Sequence, residues 1–180
     1  MSQLYIFKRA SLFYVDKMEK VRLLTDIDID ALIERGIEAV ILDIDNTITP
    51  WGESKVLPYI AEWCEKARKR GLRLFILSNT ANRQRSISMA QSIGGVSLEV
   101  GCKKPTKKAF TLAGEHIGLP PHKCVMVGDQ LFSDMRGERF GFNCILTEPL
   151  KRREAKITRL MRIWERVFKG RKITYTLEEK

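Results

Sequence analysis

Short apolar runs that stop abruptly, separated by helical patterns, constrain the fold of this chain more than any other feature. Residues 40–42 are Val-Ile-Leu and end at Asp43; 72–77 end at Ser78-Asn79; 96–100 end at Gly101; 124–127 end at Gly128-Asp129; 143–146, after Gly141, end at Thr147. Runs this short and this rich in β-branched residues suit strands buried on both faces of a parallel sheet, where neither side has to meet water. Between them, 55–70, 83–93, 106–117 and 133–140 carry helical patterns. Each is followed by glycine (Gly71, Gly94, Gly118, Gly141), the residue that most easily takes the left-handed turn ending a helix. The alternation predicts an α/β fold: a doubly wound, Rossmann-like parallel sheet flanked by helices, with right-handed crossovers. A parallel sheet brings the carboxyl ends of its strands to one edge, where such folds bind ligands, so Asp43, Ser78 and Asp129 converge there despite their distance in sequence.

A chain of 180 residues suits one domain. The expected layout is a core of about 38–148, a basic N-terminal leader over 1–37 and a basic amphipathic helix over about 151–170. Lys and Arg number 32 against 22 Asp and Glu, a formal charge of +10 that favours anionic partners. Cys64, Cys102, Cys124 and Cys144 form no CxxC pair, and three lie in or beside apolar segments. A disulfide framework or zinc site is therefore poorly supported, and a reducing, cytoplasmic location is expected. No stretch approaches the roughly 18 uncharged apolar residues of a membrane span, and Lys8 and Arg9 interrupt the N-terminal apolar residues.

The chemistry is concentrated after the first strand. Asp43-Ile44-Asp45-Asn46-Thr47 places two carboxylates two residues apart. One carboxylate can attack phosphorus while a metal ion offsets the combined negative charge, and the other can protonate the leaving oxygen and later deprotonate water. DxDxT alone is a weak pattern, since Asp in such a place commonly forms an Asx-turn or helix cap. Ser78 can hydrogen-bond a phosphoryl oxygen, Lys104 before Pro105 can set a cation on it, and Asp129 with Asp134 can hold magnesium.

In that order these residues resemble the four motifs of the haloacid dehalogenase superfamily: DIDNT at 43–47, SN at 78–79, KP at 104–105 and GDQLFSD at 128–134. The resemblance implies a Mg2+-dependent phosphomonoester hydrolase with Asp43 as nucleophile and Asp45 as general acid and base. Ser78, Asn79, Lys104 and Thr47 would bind phosphate. Asp43, Asp129 and the backbone carbonyl of Asp45 would be metal ligands. Asp134 is a supporting residue, meeting the metal through water or holding the lysine. Lys103 is expected in solvent, and His116 and His122 have no part in this scheme.

About 30 residues separate Thr47 from Ser78 and about 24 separate Asn79 from Lys104, which one helix and its turns nearly use up. No cap domain fits, and in this superfamily caps close over small metabolites, so an open site suits a large or surface-presented phosphate. Trp51 and Gly52, after the first motif, either form a flap over the site or place the indole on a neighbouring helix. From 151 to 172 there are ten Lys and Arg against two Glu, with Ile157, Leu160, Met161, Trp164 and Phe168 on one helical face. Such a helix either docks on its own core or lies in an anionic membrane interface. The whole plan resembles subfamily IIIA, in its phosphatidylglycerophosphate phosphatase-like branch. That implies an anionic lipid headgroup as substrate and peripheral membrane contact. The competing readings are a phosphatase for nucleic-acid ends, phosphoproteins or small phosphoesters, and a binding protein that retains the fold. Nucleic acid ranks below lipid because no RNA-binding module or RNP pattern is present.

Overall fold

The computed structural model describes residues 19–98 and 100–150. The leader before residue 19 and the helix expected over 151–170 lie outside the described residues. Six strands, β1 (Glu19–Val21), β2 (Ala39–Leu42), β3 (Arg73–Ile76), β4 (Val96–Ser97), β5 (Cys124–Gly128) and β6 (Asn143–Thr147), form one sheet in the order β1-β6-β5-β2-β3-β4. Every pairing is parallel. From β2 the chain builds outward through β3 and β4, then returns to lay β5 against the other side of β2. The reversal makes the β2–β5 seam the topological switch point.

The period of two along β2 explains the two layers. Val40 and Leu42 face a cluster with Leu24, Leu32, Ile60, Trp63 and Met89, whereas Ala39 and Ile41 face one with Phe110, Ala113, Met126 and Phe142. Four helices cover these faces: α1 (Ile29–Glu34), α2 (Pro58–Lys69), α3 (Arg83–Ser92) and α4 (Lys107–Ile117). On α2, Ile60, Trp63, Cys64 and Ala67 recur at the spacing of one helical face and are buried. The Trp63 indole also donates to the Ile27 carbonyl at 2.9 Å. Asn82 and Thr106 cap α3 and α4 by accepting from Arg85 N–H and Ala109 N–H, which starts both helices at the sheet's carboxyl edge.

Two sequence expectations need correction. Residues 19–37 do not all belong to a leader. β1 pairs with β6, and Leu24, Ile27 and Leu32 are core residues, so the folded core begins well before residue 38. The segment expected as a helix over 133–140 is a 3₁₀ helix, Met135–Phe140. Gly137 is crowded there: a Cβ would stand 3.0 Å from the Phe110 ring and 3.2 Å from the Cys144 sulfur.

Candidate active site

Strand pairing alone brings the first and fourth motifs together. Leu42 lies opposite Val127, the Asp43 N–H donates to the Val127 carbonyl at 3.0 Å, and Asp129 leaves the adjacent strand one residue later. Asp43 and Asp129 therefore stand side by side across the switch point. Asp43, Asp129 and Asp134 are all buried, and each offers a carboxylate oxygen within 4.8 Å of the others. Asp134 reaches the group because residue 128 is glycine: any Cβ there would collide with the Asp134 carboxylate. The Gln130 N–H donates to Asp134 Oδ2 at 3.1 Å, which turns this carboxylate back toward the strand end.

Lys104 sits inside the cluster. Its Nζ donates to Asp43 Oδ1 at 2.8 Å and to Asp134 Oδ1 at 2.6 Å, with the lysine side chain 1% exposed. The placement of Lys104 depends on Asn79. The Asn79 amide accepts from the Lys104 N–H at 2.8 Å and donates to the Lys104 carbonyl at 2.9 Å, clasping its backbone, and it also donates to Ser133 Oγ at 3.4 Å. The Asn79 side-chain amide thus positions the lysine loop.

Burial pushes the Asp43 carboxyl up to about 6, because desolvation and the neighbouring carboxylates of Asp134 and Asp45 outweigh the opposing pull of the Lys104 ammonium. Lys104 is held above its ordinary range. Burial opposes its charge, but Asp134 and Asp43 more than compensate. Three buried carboxylates against one ammonium leave an excess of negative charge. All the donors are hard oxygens, a set that fits a divalent cation such as Mg2+.

Asp45 stands at the mouth rather than in the cluster. Arg85 Nη2 and Nη1 donate to its two carboxylate oxygens at 2.7 and 3.2 Å, and the Gly52 N–H donates to Oδ1 at 3.1 Å. The same guanidinium donates to the Glu53 carbonyl from Nε at 3.0 Å and from Nη2 at 2.7 Å, so one fork ties α3 to the loop after β2. Sequence reasoning missed Arg85. Its only signal is an arginine in the first turn of the helix that follows the second motif. The loop itself doubles back at Asn46, whose φ of 62° is one that asparagine tolerates better than most residues. Asn46 N–H closes the turn onto the Thr49 carbonyl at 2.7 Å.

The remaining expected residues lie near the cluster but are differently engaged. The Ser78 hydroxyl accepts from the Thr80 N–H at 3.3 Å, within its own loop. Thr47 is buried and its hydroxyl has no hydrogen-bond partner among the described residues. Trp51 is 37% exposed. Beside the site, a cavity of about 240 Å³ is lined by Ser78, Asn79, Arg83, Val100, Cys102 and Lys103. A larger one, about 790 Å³, lies between Arg68, Arg73, Val96 and His116 and includes none of the site residues.

A family model for haloacid dehalogenase-like hydrolases matches residues 9–137, a span that contains every residue of the cluster. The probable phosphatase YqeG of Bacillus subtilis (strain 168) is 33% identical over 138 residues, covering 76% of this chain and 79% of that one. Phosphatidylglycerophosphate phosphatase 1, chloroplastic/mitochondrial, of Arabidopsis thaliana is 31% identical over 137 residues. That covers 71% of this chain but 39% of the plant protein, so the chain spans well under half of that relative. Among solved structures, a predicted HAD-like family hydrolase from Porphyromonas gingivalis superposes with a TM-score of 0.54 at 14% identity, over 70% of this chain and 98% of that one. At such identity the likeness speaks for the fold alone.

Proposed function

The chain belongs to the haloacid dehalogenase-like hydrolase family, and on that premise we propose that it is a Mg2+-dependent phosphomonoester hydrolase in which Asp43 is the nucleophile and residues 19–150 hold the catalytic unit. One observation carries the reading: a buried lysine bridges Asp43 and Asp134 beside Asp129, at the switch point of the sheet.

An Asp43 carboxylate oxygen attacks phosphorus and the bond to the ester oxygen breaks. Asp45 delivers a proton to the departing oxygen, giving the free alcohol and an aspartyl-phosphate on Asp43. Asp45 then takes a proton from water, the resulting hydroxide attacks the phosphorus, and inorganic phosphate leaves with Asp43 regenerated. Lys104 offers a fixed cation to the phosphoryl oxygens, and Asn79 keeps it in place through the backbone. Asp134 orients Lys104 by accepting from the same ammonium that donates to Asp43. Arg85 and the Gly52 N–H orient the Asp45 carboxylate over the cluster. Asp43, Asp129 and the Asp45 backbone carbonyl would hold Mg2+. When bound, the ion supplies the positive charge that lets a carboxylate approach a phosphate dianion.

For the substrate we propose a phosphomonoester on an anionic lipid headgroup, of the kind removed from phosphatidylglycerophosphate. The reading is supported by the basic composition and by the name of the plant relative. Phosphate release from vesicle-borne phosphatidylglycerophosphate, run with Mg2+ beside a soluble phosphomonoester, tests it. The proposal predicts a kcat/KM for the lipid far above that for the soluble ester. Turnover of the soluble ester alone would keep the hydrolase and reject the lipid.

A further inference from the structure

We propose that the sheet edge carrying the active site is itself a docking surface for an anionic lipid bilayer, with Trp51 and Phe132 as the residues that enter the interface. The inference deepens the lipid-substrate reading and rests on it for its biological sense, but its test does not depend on lipid turnover.

Large hydrophobic side chains exposed to water call for an account when they cluster. Among the described residues four large hydrophobics are exposed: Val96 at 58%, at the amino end of β4, and three others, Tyr59 at 42%, Phe132 at 39% and Trp51 at 37%. Topology puts all three at the same edge. Trp51 follows β2 and immediately precedes Gly52, whose N–H holds Asp45. Phe132 follows β5, between Gln130, which donates to Asp134, and Ser133, which accepts from Asn79. Tyr59 is the second residue of α2, which starts at that edge because the Leu57 N–H is tied back to the Ile48 carbonyl. The loops that supply catalytic carboxylates from β2 and β5 thus each carry an exposed aromatic.

Charge selects the partner. On the half of this edge over β2, β3 and β4, Lys55, Arg83, Lys103, Lys107 and Lys108 are exposed, against the exposed acids Glu53 and, one turn from Tyr59, Glu62. At the far end of the sheet, the segments after β1 and β6 present exposed Asp26, Asp28 and Glu148 against Arg22. The basic half, which also holds the 240 Å³ cavity next to Ser78 and Lys103, is the half that can approach anionic headgroups. Tryptophan and tyrosine favour the headgroup level, where one side of the ring is apolar and the other wet. Trp51 and Tyr59 among these cations, with Phe132 on the neighbouring β5 loop, would bring the cluster to a phosphate that stands on the membrane plane.

The experiment uses the full chain and vesicles free of substrate, phosphatidylcholine with and without phosphatidylglycerol. Trp51→Ala combined with Phe132→Ala is expected to weaken sedimentation with the anionic vesicles at least about tenfold, from the apolar area withdrawn from the interface. Hydrolysis of a soluble aryl phosphate should stay within about twofold of wild type, since neither side chain acts in the chemistry. In a Trp164→Phe chain, where the other indole besides Trp51 is the buried Trp63, anionic vesicles with brominated acyl chains should quench fluorescence, and adding Trp51→Phe should abolish the effect. Unchanged vesicle binding by the double variant, or no quenching of Trp51, would overturn the proposal. So would a double variant that loses binding to a single-stranded oligonucleotide while holding the vesicles. Failure of the lipid reading alone would show as normal vesicle docking without lipid turnover.

Discussion

Arg85 is the residue on which the division of labour between the two carboxylates of the first motif rests. Asp43 is enclosed with Lys104, whereas Asp45 is gripped by a guanidinium that also binds the Glu53 carbonyl. A planar fork with several donors matches that arrangement, and a lysine ammonium does not. If Arg85 positions the proton donor, its loss should matter most where the leaving oxygen needs a proton. Arg85→Ala is expected to lower kcat for alkyl phosphates on the order of 10²-fold while barely changing kcat for aryl phosphates with good leaving groups. Arg85→Lys should not restore it. Equal losses on both substrates would reduce Arg85 to a structural tie. Asp43 gives a second test. Its folded-state value near 6 lies above the roughly 3.9 of an unfolded aspartate, so the folded state holds that proton more tightly. As pH rises from about 4 to 6, the unfolded chain has already ionised and the folded one has yet to, so this group's contribution to stability falls. With metal chelated, Asp43→Asn should therefore gain stability relative to wild type between pH 4 and pH 7, read as a growing difference in Tm; Mg2+ should shrink it.

At the scale of elements, the site is built from strand ends, and the close approach at Gly128 fixes how the last loop enters it. Gly128→Ala should push the Asp134 carboxylate away from Lys104, since the new methyl would occupy its place. A displacement of this size at a reacting centre costs on the order of 10²-fold in kcat. Thermal unfolding should show the variant still folded, and normal turnover would refute the steric argument. The elements most legible in the sequence were those whose side chains are buried on both faces: β2, β3 and β5 announce themselves as apolar runs. β1 did not, because Glu-Lys-Val has no apolar run and its place comes wholly from pairing with β6. That the helix over Met135–Phe140 is 3₁₀ is not legible in the sequence, because spacing alone does not report the crowding at Gly137. In the site, the acidic and lysine positions were legible because each follows a strand or precedes a proline. The clasp of Asn79 and the fork of Arg85 were not, since both are made by side chains reaching across tertiary space.

For the whole molecule, a parallel sheet whose winding reverses between β2 and β5 gathers three carboxylates and a lysine at one edge. The fold supplies rigidity where the charge is concentrated, and the loops after β2 and β5 supply what faces outward. In this scheme everything else depends on Asp43 carrying the phosphoryl group. The most direct test is phosphate release from a soluble phosphomonoester in Mg2+, comparing wild type with Asp43→Asn after thermal unfolding has shown the variant to be folded. Wild type should turn over until chelation abolishes activity, and Asp43→Asn should lose on the order of 10⁴-fold or more. Undiminished turnover by the folded variant would contradict it.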